Sequence, residues 1–299
     1  MPPTWSSVAA TRSTPSSAWR PCSGANGGDG SDGFVLRGID AYDKCGFAVS
    51  GAGDLNHDGY DDVVVGAPFA EPGASVAAGE TYVVFGRGTP FPAEVPLPGL
   101  FPANGGDGSA GFVLTGEGNS YQGGYAVSNA GDLNADGFDD LAVSAPGAKV
   151  GDRFDAGRIF IVYGRATGFP AAIELATLAA DPSAGFAING RSTDDLAGNA
   201  VSNAGDVNAD GVDDLVIGAN HASNEYGYEA GEAYVVFGRR AACTPADIAA
   251  PYATLNLDDI AAFASAFVAA DPLADLDANG VLDLDDITAF AQAFVAGCP

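Results

Sequence analysis

The nine residues Asp132-Leu133-Asn134-Ala135-Asp136-Gly137-Phe138-Asp139-Asp140 constrain this chain most, because they occur three times with little change, also as Asp54 to Asp62 and as Asp206 to Asp214. Oxygen-bearing side chains fill positions one, three, five and nine. Glycine takes position six, where the chain must turn sharply, and position seven can offer its carbonyl. A hard cation such as Ca²⁺ takes about six to eight oxygens in tolerant geometry, and this spacing supplies such a cage.

The repetition extends beyond the loop. Phe34, Phe112 and Phe186 stand 78 and 74 residues apart, the same offsets that separate Asp54, Asp132 and Asp206. Gly27 to Leu36 returns as Gly105 to Leu114 and more loosely as Asp181 to Ile188. A fixed period of this length marks a repeat architecture. Each unit opens on Gly-Phe, enters the loop through Ala-Gly-Asp and leaves it through an apolar run such as Val63-Val64-Val65. It then reaches Tyr82-Val83-Val84-Phe85, Phe160-Ile161-Val162-Tyr163 or Tyr234-Val235-Val236-Phe237. β-branched and aromatic runs bounded by Gly and Pro predict antiparallel strands, about four per unit. The aromatic residues of these runs are expected in the core, and Arg87, Arg165 and Arg239 at strand ends are expected to pair structurally.

The Ala-Gly-Asp-x-Asn-x-Asp-Gly-x-Asp-Asp core, the preceding Gly-x-Ala-Val and the following Val65-Gly66-Ala67-Pro68 resemble the FG-GAP repeat of integrin α-subunit propellers and of many secreted bacterial proteins. The resemblance covers about residues 24 to 240, in units of about 34–111, 112–185 and 186–240. It implies a mainly β fold, one four-stranded propeller blade per unit, with Ca²⁺ in the loop between two strands. Carried over residue by residue, it assigns ligation to Asp54, Asn56, Asp58, Asp62 and the carbonyl of Tyr60. The second set is Asp132, Asn134, Asp136, Asp140 and Phe138, and the third is Asp206, Asn208, Asp210, Asp214 and Val212. The chain departs from the pattern at Cys45, Gly123 and Ala197, where the family has Phe, and at Asn220, where it has Pro. Three blades do not close a ring that takes about four to eight, so the expectation is a partial propeller or one completed by association of chains. Residues 24–38 resemble the end of an earlier unit, as in a truncated member of a longer family or in chains that associate, and the N-terminal tail fits a mis-called or truncated start.

Past Cys243 the pattern changes. Ile260, Phe263 and Phe267 recur as Ile287, Phe290 and Phe294, each triplet on one helical face. Before the second triplet, Asp275, Asp277, Asn279, the Val281 carbonyl, Asp283 and Asp286 fit a twelve-residue calcium loop with Gly280 at the turn. This loop-helix duplication over 241–299 resembles a dockerin, here Cys-bounded, which implies anchoring or assembly through a cohesin-like or cell-envelope partner. Leu257/Asp258 and Leu284/Asp285 stand where dockerins select that partner, so ordinary cohesin pairing is not assumed. The first half places Ala249, Ala250, Pro251 and Tyr252 in its ligand stretch, which leaves its calcium binding open.

Composition enters through charge. The chain carries 39 acids against 12 Lys and Arg, a net charge of −27, which excludes nucleic acid and anionic membranes as natural partners. Four acids in each repeat loop and five in the later loop place 17 of the 39 in four clusters, which would repel one another without bound cation. No run of 18 apolar residues predicts a membrane span. Residues 1–23 read as a disordered segment without a signal peptide's apolar stretch. Cys22, Cys45, Cys243 and Cys298 permit three pairings and show no zinc spacing. His57 and His221 read as surface residues, and no Ser/His/Asp set, HExxH or phosphate loop supports an enzyme. The sequence therefore predicts a calcium-binding extracellular or cell-surface interaction protein that contacts a protein or glycan through the links at 69–80, 147–157 and 221–231. The alternatives are a subunit of a polysaccharide-degrading complex and a truncated product without its own function.

Overall fold

The computed structural model describes residues 31–73 and 75–239 of the chain. Residues 1–30, the dockerin-like segment with its Asp275 to Asp286 loop, and Cys22, Cys243 and Cys298 lie outside the described residues.

The described residues contain fourteen strands and three short 3-10 turns, and no α-helix. In chain order the strands are β1 (Val35–Leu36), β2 (Ala48–Gly53), β3 (Asp62–Ala67), β4 (Glu80–Val84), β5 (Glu94–Val95), β6 (Gly111–Thr115) and β7 (Val127–Gly131). They continue as β8 (Asp140–Ala145), β9 (Arg158–Val162), β10 (Ala172–Glu174), β11 (Gly185–Asn189), β12 (Ala200–Gly205), β13 (Asp214–Ala219) and β14 (Glu232–Val236). Two compact units result. The smaller comprises residues 31–37 with Thr89–Pro96, where β1 pairs in parallel with β5 and Phe34 stacks on Phe91 at 4.4 Å. The larger holds the three repeat sheets.

The first of these sheets runs β2-β3-β4-β6 with β10 added in parallel to β6, the second β7-β8-β9-β11, and the third β12-β13-β14. All repeat pairings are antiparallel apart from that of β10, in keeping with the short links that join the first three strands of each sheet. The sequence period and the sheets are out of phase by one strand. The Gly-Phe segment that opens a period closes the preceding sheet: β6 is the fourth strand beside β4, and β11 is the fourth beside β9. The third sheet shows three strands among the described residues.

Alternation along the middle strands divides them between two cores. Leu141, Val143, Phe160 and Val162 face a cluster with Val64, Val83, Phe85 and Phe112, whereas Ala142, Ile159 and Ile161 face one with Leu215 and Ile217. A period of two puts successive side chains on opposite faces, so Leu141 to Val143 of β8 and Ile159 to Val162 of β9 are apolar on both faces because the second sheet is covered on both sides. The packing of β2 against β7 and of β7 against β12 delivers that cover. Of the expected core aromatics, Tyr82, Phe85 and Phe160 are buried and Tyr163 is half-buried, whereas Phe237 in the third sheet is 51% exposed. Its equivalent Phe85 is covered by Phe112 and Phe169.

Candidate metal centre

Each repeat loop is set up by a bulge. The register of the first strand slips between Gly51 and Gly53, Asn129 and Gly131, and Asn203 and Gly205. The second glycine in each case has φ near +70°, which a side chain would resist. The loop then winds on its own carboxylates. Asp54 accepts from the N–H of Asp58 and Gly59 at 2.9 Å each, Asn56 Oδ1 accepts from Asp58 N at 3.1 Å, and Asp58 Oδ1 accepts from Tyr60 N at 3.0 Å. The second loop repeats this with Asp132, Asn134, Asp136 and Phe138, and the third with Asp206, Asn208, Asp210 and Val212. Position four is left-handed in all three, at His57, Ala135 and Ala209.

The ninth residue has a role the spacing rule does not show. Asp62 is buried, and its two oxygens accept from Leu55 N at 3.0 Å and Gly86 N at 2.8 Å, which ties the loop to the end of β4. Asp140 clamps Leu133 and Gly164 in the same way, and Asp214 clamps Val207 and Gly238. Burial pushes Asp62 up to about 7 and Asp140 up to about 8, with the neighbouring loop aspartates pushing in the same direction and the backbone donors opposing them.

Position eight, absent from the predicted ligand set, joins successive repeats. Asp139 Oδ2 accepts from Asp54 N at 2.9 Å, and Asp213 Oδ2 accepts from Asp132 N at 3.1 Å. Arg165 and Arg239 donate their backbone N–H to the carbonyls of Leu55 and Leu133 at 2.8 Å, contacts of the main chain that do not use the side chain. The Arg165 guanidinium lies 4.6 Å from the Phe169 ring. His57 is exposed and meets the Phe138 ring of the next repeat edge-on at 5.1 Å. The triple recurrence of Asp-Asp at positions eight and nine was the available signal for both roles.

The donor set fits a hard cation. Each loop offers Asp, Asn, Asp, a main-chain carbonyl and a buried Asp, all oxygen, and the carboxylates retain lone pairs beyond those that accept N–H. Among the described residues, the pairs Arg37–Glu94, Arg158–Glu117, Arg191–Glu232 and His221–Glu229 join acids outside the loops. A buried carboxylate held among like charges is relieved by a cation. Among the described residues, however, no three acidic, His or Cys side chains converge into a closed cage.

The links between β3 and β4, β8 and β9, and β13 and β14 are turns that expose large side chains: Val76, Phe154, Tyr226 and Tyr228, the last two above 80%. Lys149 lies 4.3 Å over Phe154. No helix among the described residues is long and apolar enough to cross a membrane.

This arrangement, sheets with three or four antiparallel strands each, the first extended by β10, stacked in series with an acidic loop between the first two strands of each, defines the class of repeat. The FG-GAP repeat model matches residues 46–84, 123–162 and 197–236, so the chain carries three FG-GAP repeats. Integrin alpha-PS5 of Drosophila melanogaster is 32% identical over 200 residues, 66% of this chain and 17% of that protein. Integrin alpha-IIb of Mus musculus is 31% identical over 119 residues, 39% of the chain and 10% of that protein. The phosphatidylinositol-glycan-specific phospholipase D of Bos taurus is 38% identical over 118 residues, 39% of the chain and 13% of that protein. The chain thus spans less than a fifth of the length of these relatives, and their names include both integrin subunits and an enzyme.

Proposed function

We propose that the chain is a calcium-stiffened recognition scaffold of the cell surface or extracellular space, with FG-GAP blades that present their inter-strand links to a protein or glycan ligand. The observation that carries this reading is the separation of rigid from exposed parts. The loops are fixed by the same six hydrogen bonds in each repeat, and the bare aromatic residues Tyr226 and Tyr228 sit on the link. Rigid aromatic groups give contact area at low entropic cost.

In this reading Ca²⁺ is held by Asp54, Asn56, Asp58, Asp62 and the Tyr60 carbonyl, and by the corresponding residues of the other two loops. The ion supplies positive charge that the loop carboxylates lack. The chain's own contribution is to hold Asp62, Asp140 and Asp214 in place through paired backbone donors and to couple successive loops through Asp139 and Asp213. A module of the dockerin kind at 241–299, with a further calcium loop, would serve anchoring, and a second copy of the chain would supply the blades a ring needs. The scaffold acts by binding, without catalysis of its own.

Two measurements test it. Metal analysis of the purified chain is expected to lose about one ion on Asp136→Ala and another on Asp210→Ala; unchanged stoichiometry overturns the calcium assignment. Screening against extracellular proteins and glycans is expected to give Ca²⁺-dependent retention that Tyr226→Ala/Tyr228→Ala abolishes at unchanged melting temperature. Sustained turnover of a glycan by the chain overturns the binding reading in favour of an enzyme of a polysaccharide-degrading complex.

A further inference from the structure

The smaller unit copies a piece of the larger one. β6 is held on one side by β10, through Val113↔Ala172 and Leu114↔Ile173, with Val113 N donating to Ala171 O at 3.0 Å and Phe112 stacked on Phe169 at 4.5 Å. Shifted by the 78-residue period, β1 is held by β5 through Val35↔Glu94 and Leu36↔Val95, with Val35 N donating to Ala93 O at 3.0 Å and Phe34 on Phe91 at 4.4 Å. Gly33 has φ 140°, beside 134° at Gly111 and 150° at Gly185, the glycines that let β6 and β11 pass close over a main-chain carbonyl of their third strand. β1 is therefore shaped as the fourth strand of a sheet. β6 has its third strand, β4, on the other side; β1 pairs with β5 alone among the described residues.

The third sheet shows the opposite half. β14 repeats β4 and β9 residue for residue in position, yet it ends the sheet among the described residues, and Val235 and Phe237 are 48% and 51% exposed where Val83 and Phe85 are buried. An exposed strand edge with apolar side chains invites another strand.

We propose that strand Gly33–Arg37 of one copy of this chain completes the β12-β13-β14 sheet of a second copy, antiparallel to β14. Two complete sheets fix the register. Val113 stands opposite Tyr82, and Ala187 opposite Phe160, so Val35 stands opposite Tyr234, Leu36 opposite Ala233 and Arg37 opposite Glu232. The last pairing brings Arg37, which pairs with Glu94 in its own chain, opposite Glu232, which pairs with Arg191, where the complete sheets place Glu80 against Thr115 and Arg158 against Asn189. The sheet edges extend the fit. Phe85 N and Tyr163 N donate to the carbonyls of Ala110 and Ala184, and Gly116 N and Gly190 N donate to those of Gly79 and Gly157. The same spacing sets Phe237 N against Asp32 O and Gly38 N against Gly231 O. Because each copy offers both halves, the contact is head-to-tail. The inference rests on the blade reading of the repeats and not on calcium.

The test mixes two full-length chains, each singly substituted, Leu36→Cys and Ala233→Cys, in millimolar Ca²⁺ under mild oxidation. A disulfide-linked heterodimer is expected, at least about fivefold above a register-shifted mixture of Leu36→Cys with Val235→Cys and absent from the unsubstituted chain. Light scattering of the unsubstituted chain is expected to give a mass at least twice that of one chain. In a chain carrying Glu94→Gln and Arg191→Gln, so that neither partner within the chain competes, Arg37→Glu is expected to weaken association several-fold and addition of Glu232→Arg to restore it, as a cross-strand charge pair contributes modestly. A monomer at all concentrations, a dimer without the crosslink, or a crosslink that forms only inside one doubly substituted chain overturns the proposal. A chain that binds its ions and stays monomeric refutes this inference and leaves the calcium reading intact.

Discussion

Asp139 and Asp213 show how one residue can tie two repeats. Each accepts from the N–H that opens the preceding loop, and a Cβ added at Gly53 would lie 2.2 Å from Asp139 Oδ2. Asp139→Ala leaves Asp54 N without its partner, and a lost hydrogen bond to a charged group costs about 1.5–3 kcal/mol. Gly53→Ala adds a left-handed penalty of about 1–2 kcal/mol to that steric conflict. Urea denaturation is therefore expected to show Gly53→Ala as the more damaging of the two. Gly59→Ala, with φ +89° but nothing near its Cβ, should lose only the conformational part. Equal losses at Gly53 and Gly59 would mean that Asp139 yields freely.

At the level of the strand, burial on one face or two sets the cost of truncation. Ile161 of β9 has no exposed surface and sits between the second and third sheets, whereas Val235 of β14 is half exposed. Ile161→Ala is expected to cost about 2–5 kcal/mol. Val235→Ala should change stability by less than about 0.5 kcal/mol in a dilute chain, as surface substitutions do. Midpoints of chemical denaturation for the two variants check this. The strand pattern itself was legible. Val63 to Val65, Tyr82 to Phe85 and Phe160 to Tyr163 announce strands by composition, and all fall in or beside β3, β4 and β9. The phase of the sheets was not legible, because sequence similarity groups Gly-Phe with the residues after it, while hydrogen bonding groups it with the strand before it.

For the whole chain, charge and folding are linked. Twelve acids crowd three loops, so cations that bind the folded loops stabilise them by mass action, by about 2.7 kcal/mol for each ion held at a hundredfold excess over its Kd. Chelation is expected to lower the melting temperature by well over 10 °C in a scan at low salt, and re-addition of Ca²⁺ to restore it; no shift would detach the loops from metal altogether. Salt without divalent ions should recover a part of the loss, through screening of the like charges.

The sequence by itself determined the number of repeats, the loop residues Asp54 to Asp62 and their two copies, and the mainly β character, since these depend on local spacing and on side-chain type. Tertiary structure decided that the ninth aspartate is a buried clamp, that the eighth joins neighbouring repeats, and that β6 and β11 close the sheets before them. Each of the aspartate roles depends on at least one partner 24 to 85 residues away. Such partners are chosen by which strands pair and which faces pack, and the periodicity of a single strand carries no record of that choice.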